Sequence, residues 1–411
     1  MAGKDRMAGE LARGIAGDAR QAVREVRDAL DAELFASSYV SLWDLGPGAL
    51  IDADPEEEIG LRVVVALERA GDASALAALR ALASVGSEAI STACETAADR
   101  LAQADVHEPE WRNGLGAARG VRARLMRDVV FDDAANLIFE FERPGLEPYA
   151  MLVLVDNNLG GIAKDIIAGA DLERLVEALG KASDLDDGAG ELRLEEIDLA
   201  EAAARCREAL WRTAHTLDPP VAEDFESQVA VLAAHLKTLP GEDRFEAEEI
   251  PEDEREAAFD GFLGSPEAEP FRKSEDAADL ARLAVDYGAD YVGGEGRPLR
   301  WSPTVVELFM CDYLPRKVLR EREFFERAVP ELLPAWVRYA GRCRGIPKAA
   351  IGEAASAVEY FREEMLDLVG DESTWGPSKS FLAAASAAGV DLDDPAAIEA
   401  YVERHNRDLA A

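Results

Sequence analysis

The chain has 411 residues and carries 82 acidic against 44 basic side chains, a formal net charge of −38. Such a surface repels nucleic-acid backbones and anionic membranes over a Debye length, and no stretch reaches the roughly 18 apolar residues of a membrane span. A hydrophobic content of 48% is ample for real cores, so the charge belongs to a folded protein of two or three domains, not to a disordered one.

Residues 1–112 read as a helical domain. Apolar Leu11, Ile15, Ala19, Val23, Val26 and Leu30 recur at three- and four-residue steps, which predicts one long helix from Glu10 to Leu34. Short Ala- and Leu-rich helices are expected at about 56–70, 73–84 and 87–103, in the manner of stacked hairpins. The character changes near residue 118, and residues 118–240 read as an α+β domain. Strands are expected at Val121–Phe131, Asn136–Glu142, Tyr149–Asp156 and Ile162–Ala168. Their short links favour an antiparallel meander, because parallel crossovers need about a dozen residues. A helix N-capped by Asp171, an edge strand at Glu191–Ile197 and a helix at Glu201–Thr216 complete that domain. Residues 241–274 are acidic and proline-containing and read as a linker, with a short helix near Glu254–Phe262 as the alternative within it. Residues 275–411 form a second helical domain. There Ser302-Pro303 starts a helix that is expected to end ahead of Pro315, and Val390-Asp391-Leu392-Asp393-Asp394-Pro395 caps a final one. The predicted class is therefore α+β and predominantly helical, with helical regions flanking a small antiparallel-sheet domain.

Cys94, Cys206, Cys311 and Cys343 lie far apart and show no CxxC or Cys/His metal spacing. Scattered thiols fit a reducing compartment, and the charged N-terminus lacks the apolar core of a secretory signal, so a cytoplasmic location is expected.

The most informative segment is the turn Asp156-Asn157-Asn158-Leu159-Gly160-Gly161 and the run Ile162-Ala163-Lys164-Asp165 that follows it. A strand ending in a carboxylate, two carboxamides and paired glycines suits a ligand, and two carboxylates plus an amide suit a hard cation. Strand alternation would put Asp156 and Asp165 on one rim and Lys164 on the opposite face. The competing reading is a plain hairpin turn, since Asn and Gly favour turns for steric reasons alone. Trp301 with Arg316 and Lys317 forms a second candidate: a buried helix with an aromatic staple, or a small basic patch for an anionic ligand. Asp184–Glu191 fails the register of a calcium loop, His107-Glu-Pro-Glu110 is broken by Pro109, and no nucleotide-binding glycine signature or Gly-x-Ser-x-Gly elbow occurs. His215 stands one helical turn from Trp211, and His235 lies in an Ala- and Leu-rich helical stretch.

Leu152-Val-Leu-Val-Asp156-Asn-Asn-Leu-Gly-Gly-Ile-Ala-Lys164-Asp165, Pro298-Leu-Arg-Trp301-Ser-Pro303-Thr-Val-Val-Glu307, Leu314-Pro-Arg-Lys317 and the ending around Gly389–Asn406 resemble a family of uncharacterised actinobacterial proteins. The resemblance covers about the last two thirds of the chain. It departs at Asn157, where the relatives carry a histidine after the strand-ending Asp. The family implies no activity and no cofactor.

Missing catalytic motifs and abundant helix surface together predict a non-catalytic protein-interaction or regulatory protein with a protein partner, and neither nucleic acid nor membrane as a direct one. Two alternatives remain from the residues alone. One is a metal-assisted hydrolase using the carboxylates of the 156–165 hairpin. The other is an acidic mimic of nucleic acid, set against solubility or a saline cytoplasm as the source of the charge.

Overall fold

A computed structural model describes residues 2–43, 59–183, 192–241, 249–391 and 394–409. Its contacts group the chain into two compact units, the first made of 1–129, 134–157 and 161–247, the second of 130–133, 158–160 and 248–411. Residues 1–112 and 118–240 thus share a unit, apart from the two short segments at 130–133 and 158–160, and one apolar core runs from Ala12 to Leu239. The acidic loop at 184–191, most of the acidic start of the predicted linker and part of the last helix cap fall outside the described residues.

In the first unit five helices come first: α1 (Ala2–Ala22), α2 (Ala29–Val40), α3 (Leu61–Ala70), α4 (Ala73–Val85) and α5 (Glu88–Gln103). Strands β1 (Arg119–Asp128), β2 (Ala134–Glu142), β3 (Tyr149–Asp156) and β4 (Ile162–Ala170) follow, then α6 (Leu172–Ser183), β5 (Leu192–Ile197), α7 (Leu199–Ala214) and α8 (Phe225–Leu236). The sheet is fully antiparallel in the order β4-β3-β2-β1-β5, so the meander and the edge strand are both as expected. Pleating divides its side chains between two faces. Leu125, Phe139, Met151 and Val153 join the helical core, whereas Met126, Ile138, Ala150 and Leu152 pack under Leu175 of α6.

The long helix expected over Glu10–Leu34 is instead two. Apolar spacing continues through Val23 and Val26, but Asp28 takes an extended backbone and its carboxylate accepts from the amides of Leu30 and Asp31, both at 2.9 Å. An aspartate that caps a new helix satisfies amides that a continuous helix would have bonded elsewhere, so the chain restarts there.

The second unit holds α9 (Glu252–Leu263), α10 (Glu275–Asp290), α11 (Pro303–Leu308), α12 (Leu314–Lys317), α13 (Val329–Cys343), α14 (Lys348–Tyr360), α15 (Arg362–Gly370), α16 (Pro377–Ala387) and α17 (Pro395–Leu409). The helix begun by Ser302-Pro303 does not stop ahead of Pro315. A wide turn over Phe309–Tyr313, in which the Leu314 amide reaches five residues back to the Phe309 carbonyl, carries the chain into α12. The same device recurs at Phe324–Ala328, where the Val329 amide reaches Phe324 just ahead of Pro330. Each proline comes second after its wide turn. A proline lacks an amide and crowds the carbonyl four residues earlier, so widening the preceding turn lets the helix continue.

Gly288 in α10 faces the backbone of Pro298, and a Cβ there would stand 2.3 Å from the Pro298 carbonyl oxygen. Gly288→Ala therefore destabilises the second unit by about 1–3 kcal/mol, although alanine alone favours helix by about 1 kcal/mol. Urea unfolding of the variant checks this, and equal or greater stability would contradict the packing argument.

Candidate functional site

The Asp156–Asp165 segment is built as a hairpin whose irregularity changes the expected faces. Leu154 pairs with Asp165 and Val155 with Ala163, which leaves Lys164 as the extra residue of a β-bulge. The bulge brings the Lys164 ammonium 3.1 Å from the Asp156 carboxylate instead of directing it to the other face. The Lys164 carbonyl meanwhile accepts from the Ala222 amide at 2.8 Å. The turn closes when the Gly161 amide donates to the Asp156 carbonyl at 2.9 Å. Gly160 and Gly161 stand at φ +78° and +82°, a region that side-chain-bearing residues rarely adopt, which accounts for the paired glycines. Asn157 is buried. Among the described residues no three His, Cys, Asp or Glu side chains group as metal ligands.

Asn158 belongs to the second unit and is also buried. Its carboxamide oxygen accepts from Arg300 at 2.8 Å. Arg300 is fully buried and donates in addition to the Gly293 carbonyl at 3.0 Å, the Phe131 carbonyl at 3.2 Å and the Asp133 carboxylate at 2.7 Å. A guanidinium taken out of water requires such an acceptor set, so these polar groups serve the fold.

Trp301 is buried, its indole donates to the Pro298 carbonyl at 3.1 Å, and its ring meets Phe309 and Trp336 edge-on. It is the aromatic staple of the second core. Arg316 pairs with Asp312 one turn earlier at 3.0 Å and Lys317 is exposed. His215 stacks on Trp211 at 4.2 Å between ring centroids and stays exposed.

One concavity among the described residues lies where the sequence holds no motif. A groove of about 780 Å³ runs between α3 and α5 in the first unit. One wall is Leu61, Val64 and Val65, repeating at helical spacing, with Glu68 beyond them. The other is the small-residue face Ala89, Thr92, Ala93, Thr96 and Ala97. Glu88 stands at one end, and at the other Arg100 pairs with Glu68 at 3.0 Å. Val65 is 44% exposed, which marks an apolar wall left open to solvent. Ala89 and Ala93 read in sequence as ordinary helix-formers, so only the pairing of the two helices reveals the groove.

Comparison with protein-family models, with curated proteins and with solved structures returned no match.

Two substitutions separate structural from ligand roles in the hairpin. Asn158→Ala leaves a buried guanidinium donor unmet and lowers stability by about 1–3 kcal/mol. Lys164→Ala removes a partly exposed ion pair and changes stability by less than about 1 kcal/mol. Thermal unfolding of the two variants checks the order, and a larger loss at Lys164 would reverse the assignment.

Proposed function

We propose that the protein is a non-catalytic protein-interaction module whose α3–α5 groove receives an amphipathic helix of a partner protein. The groove itself carries this reading. Both walls are helix faces, so their ridges accept the ridges of a third helix. The small residues of α5 allow close backbone approach, while half-buried Leu61 and exposed Val65 supply the apolar area above the buried Val64. From Glu88 to Arg100 the α5 wall is about 18 Å long at 1.5 Å per residue, which matches three turns of a guest helix. Recognition of this kind is read through apolar anchors spaced three and four residues apart. The net charge of −38 favours a partner with basic flanks through long-range steering, and makes its capture faster at low salt.

The hydrolase reading draws no comparable support, because the Asp156 carboxylate is held by the Lys164 ammonium. The acidic-mimic reading lacks a groove-like feature of its own and contributes only the expected salt sensitivity.

The test is affinity capture from native lysate with the wild-type chain and with Ala93→Arg, a change at a half-exposed groove position. A stoichiometric protein retained by the wild type and lost by at least tenfold with the variant is expected. Equal capture by both would remove the groove from the account, and capture of no protein by the wild type would remove the interaction reading.

A further inference from the structure

Beneath the sheet of the first unit lies a buried chain of ionisable groups that the proposed binding role does not use. Glu33 of α2 and Arg143, just after β2, form an ion pair with both side chains at most 2% exposed. Glu33 also accepts from the Gly116 amide at 2.9 Å, and Arg143 donates to the Gly114 carbonyl at 3.0 Å. A second Arg143 nitrogen lies 3.4 Å from the Tyr149 hydroxyl of β3, and that hydroxyl lies 2.8 Å from Nε2 of His235 in α8. Nδ1 of His235 is 2.8 Å from the Val231 carbonyl. Phe141 of β2 meets the imidazole edge-on.

These contacts fix the tautomer. A carbonyl only accepts, so Nδ1 carries the proton and donates to Val231. Nε2 then holds the lone pair and accepts from Tyr149. Adding a proton at Nε2 turns it into a donor aimed at a hydroxyl that was donating to it. Two donors, Nε2–H and Arg143, then face the same hydroxyl oxygen, and the tyrosine's own proton is left needing a new acceptor. Glu33 Oε2 stands 3.8 Å from Nε2 and attracts the imidazolium, but Arg143 already occupies it and repels a second buried cation. Asp28, the cap of α2, adds negative charge near Tyr149. Burial, the largest influence, holds the His235 pKa below its ordinary value, with Arg143 acting in the same direction and Glu33 against it.

We propose that this network is an acid-triggered latch, in which protonation of His235 frees α8 from α2 and the sheet. The latched helix has much to lose. It packs on α2 and β4, and its Val231 amide donates to the Ser37 hydroxyl of α2 at 3.0 Å. The sign follows from linkage. A folded state that binds the imidazole proton less readily than the unfolded chain is fully stabilised above about pH 6.5. It loses that stability as pH falls toward the depressed folded value.

The experiment uses the full chain. The four histidines are few enough to follow individually by NMR, while amide exchange is measured over 225–239 between pH 7.5 and 5, corrected for intrinsic rate. The expected result is a His235 titration below its ordinary value, with exchange in α8 rising at least tenfold in step with it while α13 stays protected. His235→Gln is expected to abolish the pH dependence. Unchanged α8 exchange across this range, or the same rise in His235→Gln, overturns the latch. If the Gln variant fails to fold, the wild-type titration still decides: ordinary titration of His235 with constant protection also overturns it.

Discussion

The carboxylate of Glu33 is the point on which the first unit turns. It comes from a helix, yet it is met by a guanidinium from the end of β2 and by an amide from the segment ahead of β1. One buried charge pair thus ties the helical array to the sheet. Such pairs add little net stability over an apolar replacement, but removing one partner leaves the other charged and dry, at a cost of about 3–5 kcal/mol. The pair therefore specifies where α2 lies more than how strongly it is held. Tyr149 and His235 extend that specification to α8, and this shared network makes α8 sensitive to a single proton.

Much of the fold was legible because periodicity and caps act locally. The three short helices expected after the first, α3, α4 and α5, and the meander strands fall close to their expected places, as does the edge strand against β1. Asp171 caps α6 through the Arg174 amide, as its position suggested. The misplaced boundaries have two local causes. At Asp28 a side chain competed with the helix for backbone amides, and at Pro315 a widened turn absorbed the residue that should have ended it. Neither alternative changes the apolar spacing, so pattern alone could not register them.

The candidate hairpin illustrates a different limit. Its composition was read correctly as unusual: both glycines occupy positive φ, and both asparagines are buried. What sequence could not supply was the bulge at Lys164, which reverses the face expected from simple alternation and closes an ion pair over Asp156. The buried partner of Asn158 is Arg300, some 140 positions away, and no local pattern links the two. The groove was hidden for a related reason. Small residues on α5 carry no chemical signature until α3 is laid beside them.

The most direct measurement is site-specific photo-crosslinking in cells, with a photoreactive residue placed at position 93 in the groove or at Tyr360, which is 81% exposed on the second unit. The account predicts one defined protein adduct from position 93, mapping to an amphipathic helical segment of the partner, and none of that species from position 360. The same adduct from both positions, or none from position 93, would contradict it.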